Sequence, residues 1–152
     1  MILKDEVRML GQVPLFAELA PAKLKLLAFT SDRVTYAADE TLFLQGDVGD
    51  AAYVILHGTA AILAETPNGQ IKIAEVGENS IVGEIAILCD AARTATVKAV
   101  TPIDALRIKK KVFLDLLTDF PEMTIAVIRV LAERLSQTNI ALTEERSKAA
   151  KH

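Results

Sequence analysis

The residues best suited to chemistry lie in one short segment, residues 83–95. Gly83 and Glu84 precede about one helical turn of apolar residues, and a short loop separates that turn from Arg93, where the chain enters a new strand. A helix that begins at Gly83 turns free N–H groups outward, and such groups attract an anion. The planar guanidinium of Arg93 can donate two hydrogen bonds to a phosphate. The carboxylate of Glu84 would repel that anion unless it faced hydroxyl donors such as those of a ribose. The segment therefore predicts a site for a sugar phosphate of low charge.

The remaining residues do not form a recognisable catalytic or metal-binding motif. The two histidines, His57 and His152, lie far apart in the sequence, which disfavours a metal site. Asp47 and Asp50 lack the spaced acids and terminal glutamate of a calcium loop, and they fit turns better. The sequence has no phosphate-loop signature, nucleophile–histidine pair or pair of catalytic acids at motif spacing. We therefore expect a protein that is not an enzyme and that carries no metal or cofactor.

Composition and charge limit the classes that remain. The chain has 152 residues, which fits one domain, and 51% of them are apolar. Its net charge of −3 gives no electrostatic preference for nucleic acid. The single Cys89 allows no internal disulfide, fits a reducing compartment and is interpreted as a small hydrophobic residue rather than a redox switch. The acidic opening residues do not fit a secretory signal, and no stretch reaches the roughly 18 apolar residues of a membrane span. We expect a cytoplasmic domain with neither a nucleic-acid nor a membrane partner.

Helical patterns flank a run of short strand-like segments. From residue 32 onward, short β-type runs alternate with glycine-containing turns, and Asn68-Gly69 marks a hairpin. The fold class that we predict is mainly β with flanking α-helices: a β-roll (a double-stranded β-helix, jelly-roll-like) of about eight strands. The predicted single domain, 1–152, divides into N-terminal helices over 1–31, the β-roll over 32–109 with the candidate site at 83–95, and C-terminal helices over 110–148.

The last helix is expected to be the longest. It should begin at Pro121 and run to about Lys148, which is about 28 residues and roughly 42 Å at 1.5 Å per residue. Apolar residues at 128, 131, 135 and 142 form a seam with a seven-residue repeat. Positions 128, 135 and 142 form one row of this seam, and the second row has apolar residue 131 followed by the polar Thr138. This seam could pack on the β-roll, close over a ligand as a lid, or form a homodimer, and two heptads do not distinguish these interpretations.

The candidate segment resembles the phosphate-binding cassette of cyclic nucleotide-binding domains of the catabolite activator, kinase regulatory subunit and cyclic-nucleotide-gated channel type. The family pattern is Gly-Glu-apolar-Ala-apolar-apolar, a short loop, Arg-small-Ala and an alternating strand. Residues 83–88 and 93–97 match it, with nine positions from Glu84 to Arg93. Residues 42–58 resemble the early strands and glycine turns of the family. The likeness covers about residues 15–135, and Val82 departs from it where the family often has Phe.

The resemblance implies a role for each site residue. Glu84 would accept a hydrogen bond from the ribose 2′-hydroxyl, and Arg93 would pair with the cyclic phosphate. Backbone N–H groups would also donate to the phosphate. They would be those of Ile85 and Ala86, and that of Thr94 or Ala95. The base side would be lined by Ile62, Ile71 and Ile73. The lid would come from Leu131 or Leu135 above the purine, with Arg134 adding a polar or stacking contact.

The resemblance also implies a function. The chain would be a receptor that binds a 3′,5′-cyclic nucleotide and passes a conformational change through its C-terminal helix to an unknown protein partner. Cyclic AMP (cAMP) is the first expectation and cyclic GMP (cGMP) is close behind. Thr94 is either an ordinary turn residue or a contact to guanine. Relatives in transcription place a helix-turn-helix after the long helix, and we expect that the Ala- and Lys-rich tail ending at His152 does not fold one. The alternatives are a ligand-free interaction scaffold and a domain cut from a larger channel or regulator.

Overall fold

The computed structural model describes residues 2–17 and 19–133. Helices α1 and α2 and a 3-10 helix precede the strands, a short helix α3 interrupts them, and α4 and α5 follow. The helices are α1 (Ile2–Gly11), the 3-10 helix (Pro14–Phe16), α2 (Pro21–Thr30), α3 (Glu84–Leu88), α4 (Lys110–Asp119) and α5 (121–133). The strands are β1 (Asp32–Tyr36), β2 (Thr41–Phe43), β3 (Ala51–His57), β4 (Ala60–Thr66), β5 (Gly69–Val76), β6 (Ile81–Val82), β7 (Thr96–Ala99) and β8 (Ile103–Lys109).

The strands form two antiparallel four-stranded sheets, in the orders β1-β8-β3-β6 and β2-β7-β4-β5. This arrangement, with helices at both ends of the chain, confirms the predicted β-roll. The division of the chain at residues 31, 109 and 148 stays a prediction.

The central strand β3 is buried on both of its faces. Ala52, Val54 and Leu56 pack into a core shared with the helices, whereas Ala51, Tyr53 and Ile55 pack into a second core between the two sheets. Successive side chains of a strand point to opposite faces, so a strand that contributes to two cores needs an uninterrupted apolar sequence. The run of six buried residues from Ala51 to Leu56 is therefore a consequence of its central position.

The hairpin between β4 and β5 carries a register shift that matters for the site. Thr66 pairs with Gly69, so the turn residues are Pro67 and Asn68, and Gly69 follows them with a φ of 110°. The pairing then shifts between Ile62 and Leu63, which oppose Ala74 and Lys72. Ile73 is the extra residue of this bulge.

The helices pack together on one side of the first sheet. Leu24, Leu27 and Ala28 are the buried residues of α2, and they share their core with residues of α4 and with Met123 and Val127 of α5. Full burial of a Leu or Phe side chain stabilises a fold by about 1.5–3 kcal/mol, so this core anchors the first half of α5. The last helix begins at Pro121 and is helical through residue 133, and its predicted continuation to Lys148 lies outside the described residues.

Over the described ranges, none of the helices has the length and apolar character that crossing a membrane requires.

Candidate functional site

The candidate segment folds around Gly83. Strand β6 ends at Val82, Gly83 has a φ of 86°, and α3 begins at Glu84. A Cβ atom at Gly83 would lie 2.5 Å from Nη1 of Arg93 and 3.2 Å from the carbonyl oxygen of Ala51. Both the left-handed backbone and the close approach therefore require glycine here. We call residues 83–95 the cassette from here on.

The side chain of Arg93 is buried against the start of the cassette. Its Nη1 donates to the carbonyl oxygen of Gly83 at 2.8 Å, and its Nη2 donates to the carbonyl oxygen of Ala51 at 2.6 Å. Its Nε is buried and has no hydrogen-bond partner among the described residues. Because a guanidinium has five N–H donors, Arg93 keeps donor capacity beyond the two bonds to backbone oxygens.

The backbone of Arg93 is also held in place. Its N–H donates to the carbonyl oxygen of Asp47 at 2.8 Å, and its carbonyl oxygen accepts from the N–H of Gly46 at 2.9 Å. Val48 and Ala92 form a further isolated bridge between the same two loops. The loop before β3 thus fixes the position from which the Arg93 side chain enters the protein.

Burial makes the charge of Arg93 costly. Only 3% of the residue is exposed, and this burial lowers the pKa of its guanidinium from its ordinary value. The nearest carboxylate oxygen, on Asp50, lies 3.5 Å from Nη2, but the Asp50 side chain is 60% exposed and also pairs with Arg107 at 3.0 Å. Arginine does not lose its proton under ordinary conditions. A buried cation with weak compensation favours an anion beside it.

Glu84 and Arg93 line the same cavity. The cavity has a volume of about 320 Å³, and Glu84 is 5% exposed. Most of its other lining residues are apolar, and Thr94 adds a hydroxyl. The lining consists of Phe43, Ile62, Ala74, Val76, Ile81, Val82, Gly83, Glu84, Ala86, Arg93, Thr94, Ala95 and Val97. A volume near 300 Å³, an apolar wall and a few polar groups on one side are typical of a small-molecule site.

The structure brings most of the cassette residues named in the sequence analysis to this cavity. Gly83, Glu84, Ala86, Arg93, Thr94 and Ala95 line it, and Ile85 lies in the first turn of α3. Ile62, from β4, also lines the cavity.

Ile71 and Ile73 do not line the cavity, and Ala74 and Val76 of the same strand do. The register of β5 explains this correction. Ile73 is the extra residue of the bulge and is 59% exposed, and Ile71 pairs with Ala64 toward the hairpin turn and is 53% exposed. The resemblance that implied Ile71 and Ile73 does not reveal the bulge in β5.

Of the proposed lid residues, Leu131 is half-buried and packs against the core shared with the helices rather than lining the cavity. Arg134 and Leu135 lie outside the described residues. A second cavity of about 180 Å³ is lined by Val130 of α5 and also by Val76 and Ile81, which line the main cavity as well. The wall of the candidate site is therefore continuous with the surroundings of α5.

Phe43 is the cavity residue that the sequence analysis most clearly missed. It lies on β2 opposite Val97 of β7, and its ring lies 4.1 Å from Cζ of Arg93. The signal that could have found it is the pairing of β2 with β7, because this pairing brings Phe43 and Val97 to the same cavity. Elsewhere in the described residues, three or more His, Cys, Asp or Glu side chains do not gather into a group that could hold a metal ion.

Comparisons with known proteins agree with this geometry. Residues 33–120 match the sequence model of the family described as "Cyclic nucleotide-binding domain", which is more than half of the chain. The chain is similar to the sensor domain of the transcriptional regulator DNR from Pseudomonas aeruginosa, with a TM-score of 0.81 and 27% identity over 90% of this chain and 93% of that one.

Two curated relatives are much longer than this chain. A CRP-like cAMP-activated global transcriptional regulator from Mycobacterium tuberculosis is 27% identical over 141 residues, which is 92% of this chain and 62% of the regulator. Lysophospholipase nte1 from Neurospora crassa is 27% identical over 128 residues, which is 84% of this chain and 8% of that protein. The chain thus spans less than two thirds of either relative.

Proposed function

Because the chain belongs to the cyclic nucleotide-binding domain family, we propose that it is a non-enzymatic regulatory receptor for a 3′,5′-cyclic nucleotide, with cAMP as the first ligand and cGMP as the second. The observation that carries this proposal is the burial of Glu84 and Arg93 in the wall of one cavity of about 320 Å³. One cation, one carboxylate and an apolar wall match the phosphate, ribose and base of such a ligand.

The charges of the site favour a cyclic phosphate over an open one. Arg93 pairs with the phosphate, and its remaining N–H donors supply charge-assisted hydrogen bonds. Glu84 accepts from the ribose 2′-hydroxyl. A cyclic phosphodiester carries one negative charge, whereas a phosphate monoester carries about 1.5 to 2 at neutral pH. The additional charge of 5′-AMP beside Glu84 is unfavourable, so 5′-AMP is the natural control ligand.

The rest of the cassette and the β-roll complete the contacts. The N–H groups of Ile85 and Ala86, and that of Thr94 or Ala95, add donors to the phosphate. Ile62 contacts the base. Ala74 and Val76 contact it as well, in place of Ile71 and Ile73. The hydroxyl of Thr94 meets the amino group of guanine when cGMP is bound. The M. tuberculosis relative is described as cAMP-activated, which favours cAMP as the first ligand.

The output of binding runs through α5. Val76 and Ile81 separate the ligand cavity from the second cavity beside Val130, so a ligand that presses on this wall also acts on α5. We propose that ligand draws the last helix onto the mouth of the cavity, with Leu131 or Leu135 over the purine and Arg134 beside it. The ligand can shift this helix only by as much as it prefers the closed state.

After this movement, α5 presents a changed surface to a protein partner. The partner is either a different protein or a second copy of the chain, which would bind through the apolar seam at residues 128, 131, 135 and 142. The lone Cys89 suits a reducing compartment, so we place this receptor in the cytoplasm.

Thermal unfolding with and without ligand tests the proposal. Ligand at about 100 times its Kd stabilises a protein by roughly 2.7 kcal/mol, which raises the Tm of a chain of this size by about 5–10 °C. We expect that rise with cAMP or cGMP and a much smaller one with 5′-AMP at the same concentration. If neither cyclic nucleotide raises the Tm at millimolar concentration, the proposal is wrong, and a ligand-free scaffold becomes the better description.

A further inference from the structure

The guanidinium of Arg93 lies over the ring of Phe43. The ring centroid lies 4.1 Å from Cζ of Arg93, within the distance at which a cation and an aromatic face attract each other. The hydrogen bonds of Arg93 to Gly83 and Ala51 are made by its two Nη atoms. The nitrogens of the guanidinium therefore serve hydrogen bonding, while its central carbon lies over the ring of Phe43.

The charged groups near Arg93 compensate its positive charge only in part. The Arg93 side chain is 1% exposed, whereas that of Asp50, the carboxylate near it, is 60% exposed and is shared with Arg107. The two carbonyl oxygens supply dipoles rather than a full negative charge. A cation–aromatic contact is strongest where water is excluded, and the face of Phe43 supplies such a contact here.

Phe43 is itself held in place by other rings. Its centroid lies 5.8 Å from that of Tyr53 at an interplanar angle of 31°, and Tyr53 meets Tyr36 edge-on at 6.5 Å. Tyr53 belongs to the core between the two sheets, and Phe43 is half-buried against that core. The ring that contacts Arg93 is therefore packed against the core of the β-roll.

We propose that Phe43 is a positioning residue that holds the guanidinium plane of Arg93 so that the Nε edge, which has no hydrogen-bond partner among the described residues, is free to meet the anionic group of the ligand. This inference rests on the proposed function for its ligand, a cyclic phosphate. It gives Phe43 a role in recognising the phosphate, in addition to the apolar wall that it shares with Ile62 and Val97.

Three variants separate positioning from simple packing. Phe43→Leu keeps an apolar side chain and removes the ring face, Phe43→Tyr keeps the ring, and Phe43→Met replaces Phe43→Leu if that variant does not fold. We expect Phe43→Leu to weaken the calorimetric affinity for cAMP about three- to thirtyfold and Phe43→Tyr to stay within about twofold. An equal loss in both variants would overturn the proposal, as would a change below twofold in Phe43→Leu.

A second readout needs no ligand. Nitrogen-15 relaxation of the Arg93 Nε–H group in the free protein measures how firmly the guanidinium plane is held. We expect its order parameter to fall in Phe43→Leu and to be retained in Phe43→Tyr. An unchanged order parameter in Phe43→Leu contradicts positioning even if affinity falls. If the wild-type chain binds neither cAMP nor cGMP, the proposed function fails, and the order parameter alone then decides whether Phe43 positions Arg93.

Discussion

Arg93 closes the cassette onto its own first residue, because its Nη1 donates to the carbonyl oxygen of Gly83 at 2.8 Å across ten positions of sequence. The hydrogen bond links the two ends of the segment that contains Glu84. Glu84 and Arg93, to which we assign the ribose and the phosphate, are therefore positioned by a single local unit. A substitution at Gly83 should therefore alter the position of the Arg93 side chain.

Gly83→Ala should disturb the ligand site as well as the backbone. Its φ of 86° disfavours a Cβ atom, and that atom would lie 2.5 Å from Nη1 of Arg93. Gly69→Ala is the matched control, because Gly69 has a φ of 110° with no atom within 4 Å of its Cβ position among those described. Both variants should lose about 1–2 kcal/mol of unfolding free energy. Only Gly83→Ala should also lose affinity for cAMP, by about tenfold or ~1.4 kcal/mol.

Thermal unfolding and calorimetric titration of both variants provide the comparison. Equal affinities in Gly83→Ala and Gly69→Ala would show that the contact between residues 83 and 93 has no part in binding.

Thr94→Ala should reveal which base the site reads. Thr94 lines the cavity and carries one of its few polar groups. Loss of one neutral hydrogen bond costs about 0.5–1.5 kcal/mol, so the affinity for cGMP should fall about two- to twelvefold, while that for cAMP changes less. Competition titrations with both nucleotides measure the difference. Equal losses for the two ligands would mean that Thr94 only shapes the loop.

The ion pair of Arg33 with Asp104 should contribute to stability at neutral pH and lose that contribution in acid. The Nε of Arg33 donates to Oδ1 of Asp104 at 2.8 Å, a second nitrogen bonds Oδ2, and Nη1 reaches the buried Glu6 at 3.0 Å. The hydrogen bonds from Arg33 lower the pKa of the Asp104 carboxyl below its ordinary value. An ion pair that lowers the pKa of an aspartate contributes its full stabilisation at pH values above the ordinary aspartate pKa of about 4. This contribution disappears as the pH falls through the lowered pKa.

Asp104→Asn should therefore cost about 0.5–1 kcal/mol at pH 7, since the pair is partly exposed, and nothing at a pH where Asp104 is protonated. Asp119→Asn, at an exposed position of α4, is the control and should cost little at either pH. Urea unfolding at pH 7 and pH 2 makes the measurement. An equal cost of Asp104→Asn at both pH values would contradict the ion-pair account.

The lid hypothesis predicts protection in the last helix when ligand binds. Hydrogen exchange with and without cAMP should show slower exchange at residues 128–142 in addition to the cassette. A chain ended after Glu133 should bind more weakly but still bind, because Arg93 and Glu84 remain. This cut keeps Val127, which is buried in the core shared with the helices. Protection confined to residues 83–95 would mean that the signal leaves by another route.

The sequence predicted the parts of this fold that depend on local chemistry. The alternation and glycine turns after residue 32 predicted a β-roll with about eight strands, and eight are present in the described residues. The spacing from Gly83 through Glu84 to Arg93 predicted which residues share a cavity, because one short segment carries all of them. Pro121 correctly marked the start of α5, since proline is favoured in the first turn of a helix.

What the sequence did not show depends on contacts between distant segments. The bulge takes Ile73 out of the alternation, whereas Ile71 pairs with Ala64 and lies beyond the cavity toward the hairpin turn. The bulge arises from the pairing of β4 with β5 rather than from the composition of either strand. The contact of Arg93 with the ring of Phe43 joins two residues fifty positions apart in the sequence. Its detection requires the registers of β2 with β7, which a pattern of alternating residues leaves undefined.

The most direct test of the central claim is calorimetric titration of cAMP and cGMP into the wild-type chain and into Arg93→Ala. Loss of a buried charge partner costs about 2–5 kcal/mol, so we predict that the wild type binds one cyclic nucleotide per chain and that Arg93→Ala binds it about thirtyfold to several-thousandfold more weakly. Circular dichroism must first show that the variant is folded, since the substitution also frees the carbonyl oxygens of Gly83 and Ala51. An affinity of the folded variant within threefold of the wild type would contradict the assignment of Arg93 to the phosphate.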